Sequence, residues 1–420
     1  MMDRRFIREH PDLVQKAAEL KGVPLDMDEL LRLDRVVRSL QHDLDQHQAH
    51  KKSLSRRFAQ ASPPQRGALR DQSSGLDETI NSTRTQLSEA TAALTELLLM
   101  VPALPWDGAP VGPNESFNQV IKTVGQIPTF DFEPLDHVTL AERRGWAEFA
   151  RARNAAGERA YALLGDLLLV ERAIHSYALE ILHQDGFTPI SVPSLVRKQA
   201  LLGTGMLPKG REEIYELPAD NVFLAGTAEV ALIGLYAGEI LQYGDLPLRR
   251  AGISPCFRRE IGSASRDVRG LLRVHQFEKV EQFVICAADE DESAFWHHRL
   301  LGTAEQLLQA LELPYQVVEC ATGDMGLGKY RMNDINTWFP SLHTYRETHS
   351  CSTLHDWQAR RANIRYRDTD GTIHYPHTLN NTAVATPRLL AALIENHQQH
   401  DRSIHLPQAL RAYLGNRTTV

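Results

Sequence analysis

The segment from Ser254 to Glu281, SPCFRREIGSASRDVRGLLRVHQFEKVE, decides the fold of this chain. Its apolar-flanked start and the alternating run from Leu272 to Val280 predict two antiparallel strands joined by a long, basic loop. An arginine fork binds phosphate through paired donors, and an aromatic ring stacks on a nucleobase. A carboxylate on the same sheet can take an ammonium or a hydroxyl group. The segment therefore predicts a nucleotide held beside an amino-containing substrate, although charged residues on strands also form solvated faces.

Size and composition indicate a large globular protein with two domains. The chain has 420 residues, a net charge of −7, 42% hydrophobic and 24% charged residues, which suits a sizeable core. No run approaches the roughly 18 apolar residues of a membrane span, and no signal-peptide core follows Met1, so we expect a cytoplasmic protein that does not bind membranes. Because the net charge is negative, a nucleic-acid partner must meet a local basic patch.

The four cysteines are far apart in sequence and form no C-x-x-C pair. This spacing favours buried, reduced thiols over a disulfide set, and we expect no zinc. The residues concerned are Cys256, Cys286, Cys320 and Cys351.

The N-terminal third shows a heptad pattern in two segments, which predicts an antiparallel coiled coil with helices on the order of 40–50 Å long. A turn-rich break at residues 61–64 separates the segments. The first seam comprises Leu33, Val37, Leu40, Leu44, His47, Lys51, Leu54 and Phe58, and the second Leu76, Ile80, Thr83, Leu87, Ala90, Leu94, Leu97 and Val101.

Positive charge is concentrated where the two helices would meet. Residues 51–70 hold six basic side chains and no acidic one, and His47 and Lys51 dilute the apolar seam there. This pattern suits an arm that binds phosphate, a solvated helix end or a dimerising coiled coil. The basic residues are Lys51, Lys52, Arg56, Arg57, Arg66 and Arg70.

A change in composition marks the domain boundary. Several Pro and Gly residues between 102 and 113 break the helical pattern, so we expect domains at residues 1–103 and 104–420. Downstream, helices alternate with short β-rich runs and few β-α-β units, which favours an antiparallel sheet flanked by helices.

The segment 254–281 resembles motif 2 of the class II aminoacyl-tRNA synthetases, in the form typical of seryl-tRNA synthetases. The helix expected at Asp166–Gln184 and the strand reaching Pro193 resemble motif 1, which forms the dimer interface in that class. The run NNTAVATPR at residues 380–388, with the helix after it, resembles motif 3. The resemblance covers nearly the whole chain and implies an α+β fold, in which a coiled-coil arm precedes a class II catalytic domain.

The resemblance also implies a binding site for ATP. Arg258 would hold the α-phosphate and Arg388 the γ-phosphate, and both would be catalytic, while Phe277 would stack on adenine. Glu260 would meet the adenine amino group, and Glu347 and Ser350 would hold Mg²⁺, which prefers hard oxygen ligands. The remaining positions of the implied ATP site are Arg259, Val274, Thr348 and His349.

Serine and tRNA sites follow from the same resemblance. The serine-binding positions are Thr227, Ala228, Glu229, Arg258, Glu281, Asn380 and Thr382. Arg266 and Arg269 would guide the acceptor end of tRNA, and the six basic residues of the arm would bind its long variable arm. The chain departs from many relatives at Thr382, where serine is common, and at Pro387, where glycine is common.

The implied function is ATP-dependent activation of L-serine and its transfer to tRNA(Ser), with tRNA(Sec) as a further acceptor, by a homodimer. A catalytically inactive, RNA-binding paralogue is the alternative, and it would be expected to lack Arg258, Glu281, Glu347 or Arg388. A paralogue that charges a carrier protein would lack the arm, and a coiled-coil scaffold would leave the motifs unexplained.

Two other patterns are weaker. The run GDMGLGK at residues 323–329 fits a P-loop, but Tyr330 stands where a hydroxyl should bind magnesium. His349 and Cys351 share a strand face, but no thiol-hydrolase signature surrounds them.

Overall fold

The computed structural model describes residues 1–261 and 270–420, and the described chain forms two compact units. One unit comprises Asp3–Glu19 and Val23–Val101. The other comprises Met1–Met2, Leu20–Gly22 and Pro102–Val420.

The first unit is helical and is dominated by a long hairpin. Its helices are α1 (Arg4–Glu9), α2 (Pro11–Leu20), α3 (Met27–Gln60) and α4 (Pro63–Met100). Only Ala61 and Ser62 separate α3 from α4, so the expected four-residue break is shorter than predicted. The reason is local: proline is tolerated in a first helical turn, and Ser62 and Gln65 form a capping box that satisfies the free N–H groups.

The predicted heptad seam of the hairpin is buried at half of its sixteen positions. Leu33, Val37 and Leu44 of α3 are buried, as are Ile80 and Leu94 of α4. Near the turn the seam contains one polar pair, because the ammonium of Lys51 pairs with the Asp77 carboxylate of α4 and both remain partly exposed. Leu54 and Leu69 lie closer to the turn and are buried, so the apolar core continues towards the basic end of the hairpin.

The second unit contains nine α-helices and fourteen strands in its described part. The helices are α5 (His137–Arg143), α6 (Phe149–Ala156), α7 (Gly165–Gln184), α8 (Lys198–Thr204), α9 (Ala228–Tyr236), α10 (Glu290–Ala310), α11 (Trp357–Ala362), α12 (Thr386–His397) and α13 (Gln408–Arg411). The strands are β1 (Gln119–Val124), β2 (Thr188–Ser191), β3 (Leu195–Val196), β4 (Glu216–Leu217), β5 (Val222–Leu224), β6 (Ile240–Gln242), β7 (Leu248–Phe257), β8 (Gln276–Cys286), β9 (Tyr315–Glu319), β10 (Arg331–Phe339), β11 (Thr344–His355), β12 (Arg365–Arg367), β13 (Ile373–His374) and β14 (His377–Ala385).

An eight-stranded sheet forms the centre of this unit, in the order β1-β9-β10-β11-β14-β8-β7-β2. Its neighbours are antiparallel except for the pair β2 and β7. Helices α7, α10 and α12 contribute buried apolar residues to the same core as the strands, for example Ile174, Leu300 and Leu393. This architecture confirms the α+β prediction. No described helix is both long enough and apolar enough to cross a membrane.

The two strands predicted from the segment 254–281 are present and pair with each other. Strand β7 ends at Phe257, which lies opposite Gln276 on β8. The second strand begins at Gln276 rather than at Leu272. Residues 272–275 leave the ladder, and the backbone N–H of Arg258 donates to the His275 carbonyl at 2.9 Å, which closes the base of the loop.

Helix α7, strand β8 and helix α12 meet at a small polar cluster. The Glu278 carboxylate pairs with Arg172 of α7 and lies 3.3 Å from Nδ1 of His175. The other ring nitrogen of His175 contacts the hydroxyl of Thr386, which donates to the Glu278 carbonyl at 2.8 Å. The three motif-like segments are therefore tied together by side chains.

This cluster predicts a pH-dependent contribution to stability. The adjacent His175 ring and the charge of Arg172 outweigh burial and lower the pKa of Glu278 to about 2, below the value of about 4.3 in an unfolded chain. A depressed pKa stabilises the fold above about pH 4.3, and the contribution is lost as pH falls towards 2. We expect Glu278→Gln to lower the free energy of unfolding by about 1–2 kcal/mol at pH 7, a range discounted for partial exposure.

Urea unfolding of both proteins at pH 7 and pH 3 measures this effect, and the difference between them should shrink at pH 3. Glu158→Gln, which removes an exposed partner of Arg153, is the control and should change stability by less than about 0.5 kcal/mol. A Glu278→Gln effect that is the same at both pH values would contradict the prediction.

Candidate active site

A cavity on one face of the central sheet collects most of the residues predicted to bind ATP. It is lined from the β7–β8 connection, β8, β11, β14 and the start of α12. A larger cavity of about 400 Å³ lies beside α7 and shares Phe277 with it, but the phosphate-binding and carboxylate candidates line the smaller one. Its lining residues include Arg258, Glu260, Val274, Phe277, Lys279, Glu347, Thr348, Thr382 and Arg388.

Arg258 follows directly after β7 and is fixed from three sides. Its backbone bonds to His275, its Nε donates to the Gly226 carbonyl at 3.2 Å, and its guanidinium carbon lies 5.2 Å from the Phe277 ring centroid. A Cβ at Gly226 would lie 3.5 Å from the arginine side chain, so glycine gives it room. Within the described residues, the terminal nitrogens of Arg258 have no hydrogen-bond partner, which leaves the fork for a ligand.

Phe277 and Val274 form a small apolar floor with Cys256. Phe277 is 8% exposed, and its ring is a platform on which a flat base can stack. Beside this floor, the Glu260 carboxylate forms an ion pair with Arg273, with 2.6 Å between the carboxylate oxygen and Nε. Glu260 has a φ of +52°, a strained conformation for a residue with a side chain, and Arg159 bonds to its carbonyl.

Side chains alternate between the two faces of a strand, so Phe277, Lys279 and Glu281 of β8 lie on the same face of the sheet. Glu281 is fully buried, and its two oxygens have separate partners: Thr227 Oγ1 donates at 3.1 Å and Asn380 Nδ2 donates at 3.1 Å. Lys279 forms an ion pair with Glu281 and lies 3.4 Å from Thr227 Oγ1. This group is a compact, charge-balanced pocket next to Arg258.

Thr227 caps helix α9, where its hydroxyl accepts from the Glu229 backbone N–H at 3.4 Å. Ala228 is fully buried, and a Cβ added at Gly252 would lie 3.2 Å from the Ala228 Cβ. The Glu229 carboxylate is held by Gln358, whose Nε2 donates to it at 2.6 Å. Of the three residues, Thr227 is the one that joins the Glu281 group.

Thr382 lies opposite Glu281 on β14, at the point where the register shifts between Thr382 and Val384. The extra residue is Ala383, whose carbonyl lies 3.1 Å from Nε2 of His349. Nδ1 of His349 contacts the Thr348 hydroxyl at 2.8 Å. Burial lowers the pKa of His349 to about 4, so the ring is neutral at pH 7 and can bridge the two strands.

A second register shift brings Glu347 and Ser350 to the same face. Residues three apart on a regular strand face opposite sides. Here Ile335 pairs with His349 and Asn336 with Glu347, so Thr348 is an extra residue in β11. Glu347 and Ser350 therefore both face the cavity side, and their oxygens form the hard donor set that Mg²⁺ prefers.

Arg388 lies in the first turn of α12 and reaches over to β11. Its Nη1 donates to the Glu347 carbonyl at 2.8 Å and to the Glu347 carboxylate at 3.1 Å, and its Nε donates to the Leu272 carbonyl at 3.3 Å. Pro387 occupies the first turn and lines the cavity. Proline at this position, where many relatives have glycine, is therefore compatible with the helix start.

The remaining predicted residues lie elsewhere. Arg259 is exposed beside the cavity. Arg266 and Arg269 lie outside the described residues. In the helical unit, Lys52, Arg56, Arg57, Arg66 and Arg70 are exposed near the α3–α4 turn, whereas Lys51 is paired with Asp77.

Sequence reasoning missed two residues of this region. Lys279 could have been found from its period-two spacing between Phe277 and Glu281. Asp334 could not, because only the pairing of β10 with β11 places it beside Ser350. Residues 323–329 form turns and are followed by strand β10 rather than by a helix, which excludes a P-loop.

Comparisons with known proteins agree with this geometry. The family described as the tRNA synthetase class II core domain (G, H, P, S and T) matches residues 215–397. A largely antiparallel sheet that carries these three segments around a cavity lined by Arg258 and Arg388 defines a class II aminoacyl-tRNA synthetase core. The seryl-tRNA synthetase N-terminal domain matches residues 1–105.

The full-length relatives indicate one family within this class. A serine–tRNA ligase of Deinococcus radiodurans is 50% identical over 417 residues, which cover 99% of this chain and 98% of the relative. The structure of a Pyrococcus horikoshii seryl-tRNA synthetase complexed with ATP has a TM-score of 0.90 and 34% identity, and the match covers 100% and 99% of the two chains. A Naegleria fowleri cytoplasmic serine–tRNA ligase in complex with AMP has a TM-score of 0.85 and 26% identity, with 99% and 97% covered. The chain belongs to the seryl-tRNA synthetase family.

Proposed function

We propose that the cavity binds ATP and L-serine side by side, and that the chain transfers the activated serine to tRNA(Ser). One observation carries this proposal: the Arg258–Phe277 pair lies next to the group of Thr227, Glu281 and Asn380. The first part suits a phosphate and a base, and the second suits a small molecule with an ammonium and a hydroxyl group.

In this proposal, Phe277 stacks on adenine, Glu260 and the Val274 backbone contact its edge, and Arg258 binds the α-phosphate. Arg388 binds the γ-phosphate, which would replace its present carboxylate partner Glu347. The residues 347–350 and Arg259 complete the ATP site.

Glu347 and Ser350 fit a divalent cation, because a bulge places both oxygen donors on one face and about half of the Glu347 side chain is exposed. Bound there with ATP, Mg²⁺ would supply charge neutralisation for the phosphates. The same proposal includes no role for zinc.

Serine is proposed to occupy the pocket formed by Glu281, Thr227 and Thr382, with Ala228, Glu229 and Asn380 as further contacts. A serine hydroxyl would meet Glu281 and Thr382. Alanine and glycine would leave these buried groups unpaired, which costs about 1–3 kcal/mol, and the larger threonine would meet the walls.

The first reaction is attack by a serine carboxylate oxygen on the α-phosphorus. A new O–P bond forms, the bond to the β-phosphate oxygen breaks, and pyrophosphate leaves. Because the nucleophile is already an anion, Arg258 and Arg388 act by positioning and charge neutralisation, and no proton-transfer array is needed. In the second reaction a terminal ribose hydroxyl of tRNA attacks the carbonyl carbon of the seryl-adenylate. An ester bond forms, the bond from that carbon to the phosphate oxygen breaks, AMP leaves, and the hydroxyl proton passes to AMP or to water.

We propose further that the exposed basic residues at the α3–α4 turn bind tRNA, together with Arg266 and Arg269, and that tRNA(Sec) is a second acceptor. A homodimer is proposed through the α7 and β2 region, because Leu164, Leu168 and Leu169 expose apolar surface at the start of α7. The proposed location is the cytoplasm, where protein synthesis takes place.

The test of the proposed function is ATP–pyrophosphate exchange measured with each of the twenty amino acids in turn. We expect exchange with L-serine that exceeds exchange with alanine, glycine and threonine by at least about 100-fold, since buried polar partners discriminate strongly. Exchange with another amino acid at the level of serine would refute the substrate. No exchange with any amino acid from folded protein would favour the inactive RNA-binding paralogue.

A further inference from the structure

The edge of the cavity next to Glu347 and Ser350 carries a polar strip shared by two strands. On β10, Asp334 pairs with Ser350 and Asn336 pairs with Glu347. Directly opposed residues project to the same face of a sheet. Four polar side chains therefore lie together, and two of them are the proposed cation ligands.

Asp334 is unusual within this strip because it is a buried carboxylate without a cationic partner among the described residues. Its relative exposure is 7%, and its Oδ1 has no hydrogen-bond partner in the described part of the chain. The Ser350 hydroxyl and the Cys320 thiol interact with this carboxylate, and its charged neighbours are the acids Glu347 and Asp324. A carboxylate in such surroundings is costly unless it serves a positive charge.

Two further observations indicate on which side that charge would lie. Oxygens of Asp324 and Asp334 and the sulfur of Cys320 lie within 4.8 Å of one another, which could suggest a separate metal centre. However, Asp324 Oδ2 already accepts from Asn118 at 2.9 Å. Burial and the neighbouring acids also raise the pKa of the Cys320 thiol, which disfavours a thiolate ligand. Ser350, which pairs with Asp334, shares a strand face with Glu347.

We propose that Asp334 is a positioning residue for the divalent cation that accompanies ATP. It accepts the hydrogen bond of the Ser350 hydroxyl, so that the oxygen lone pairs of Ser350 face the cation, and it adds a buried negative charge behind that ligand. This inference rests on the proposed function, since it presupposes that Glu347 and Ser350 hold the cation. Outer-shell partners of this kind typically change metal affinity 10–100-fold.

The test measures Mn²⁺ binding to the full-length protein in the presence of a non-hydrolysable ATP analogue. Binding is monitored through the electron paramagnetic resonance signal of free Mn²⁺. We expect Asp334→Asn, which keeps the shape and removes the charge, to raise the Mn²⁺ dissociation constant about 10-fold or more. The affinity for the analogue without metal should stay within about twofold, which a general loss of structure would not permit.

A double-mutant cycle shows whether Asp334 acts through Ser350. In a Ser350→Ala background, Asp334→Asn should have a much smaller effect, because contacting residues are not additive. Equal effects in both backgrounds would overturn the positioning role. Asp334→Ser is the second variant if Asp334→Asn does not fold, as judged by thermal unfolding.

Two controls separate this inference from the proposed function. Glu347→Gln should weaken Mn²⁺ binding, and an unchanged affinity would refute the proposed cation site itself. If Glu347→Gln weakens binding and Asp334→Asn does not, only the role of Asp334 is overturned. Asp324→Asn removes a neighbouring acid charge and should change the affinity by less than about threefold, whereas an effect equal to that of Asp334→Asn would indicate only general electrostatics.

Discussion

Arg258→Ala is expected to lower the rate of serine-dependent ATP–pyrophosphate exchange at least about 1,000-fold, which corresponds to roughly 4 kcal/mol of transition-state stabilisation. The reaction brings the serine carboxylate against a phosphate, and both are anions. Arg258 is held by its contacts with Gly226, His275 and Phe277 before any ligand binds. Its fork therefore needs little reorganisation to neutralise charge at the reacting phosphorus.

Two further variants serve as comparisons for Arg258→Ala. Arg258→Lys keeps the charge but loses the planar fork, so we expect an intermediate rate. Arg250→Ala removes another partly buried arginine of β7, whose Nε bonds to the Tyr236 hydroxyl at 3.0 Å, and should leave exchange within about fivefold of the unchanged protein. Near-normal exchange by the folded Arg258→Ala protein would show that another group binds the α-phosphate.

Much of the fold was predictable because its signals are local and periodic. The heptads of α3 and α4 indicated the hairpin, and the alternation around Phe277 and Glu281 indicated β8. The ends of elements were less predictable. The break between α3 and α4 is two residues long because Ser62, Pro63 and Gln65 form a compact helix start. Strand β8 begins at Gln276 because the His275 N–H donates to the Arg159 carbonyl instead of to β7.

The finer geometry of the site depends on pairing between distant strands, which one sequence does not reveal. The spacing of Glu347 and Ser350 predicts opposite faces for a regular strand. Only the bulge at Thr348 places them together, and the neutral ring of His349 links that bulge to the one at Ala383. For the same reason, Asp334 escaped notice, since its partner Ser350 is sixteen residues away along the chain.

Neutralising the exposed basic residues at the α3–α4 turn is expected to separate the two reactions. We predict that replacing Lys52, Arg56, Arg57, Arg66 and Arg70 together with Gln lowers kcat/KM for tRNA at least about 100-fold and leaves serine-dependent exchange within about twofold. Lys51 is kept, because it pairs with Asp77 and supports the hairpin. Each lost phosphate contact should also reduce the slope of log affinity against log salt by about 0.7–0.9.

The control neutralises three exposed basic residues of the same unit that lie away from the turn, as Lys16→Gln, Arg35→Gln and Arg84→Gln together. Because the turn variant loses five charges, the losses are compared per charge removed. It should retain the salt slope and most of the charging rate, because these residues would not meet the same phosphates. The net charge of −7 makes the comparison necessary, since any loss of positive charge weakens long-range attraction of tRNA. Equal losses in both variants would mean that the arm attracts tRNA only through overall charge. Unchanged charging by the turn variant would leave the hairpin with a structural role.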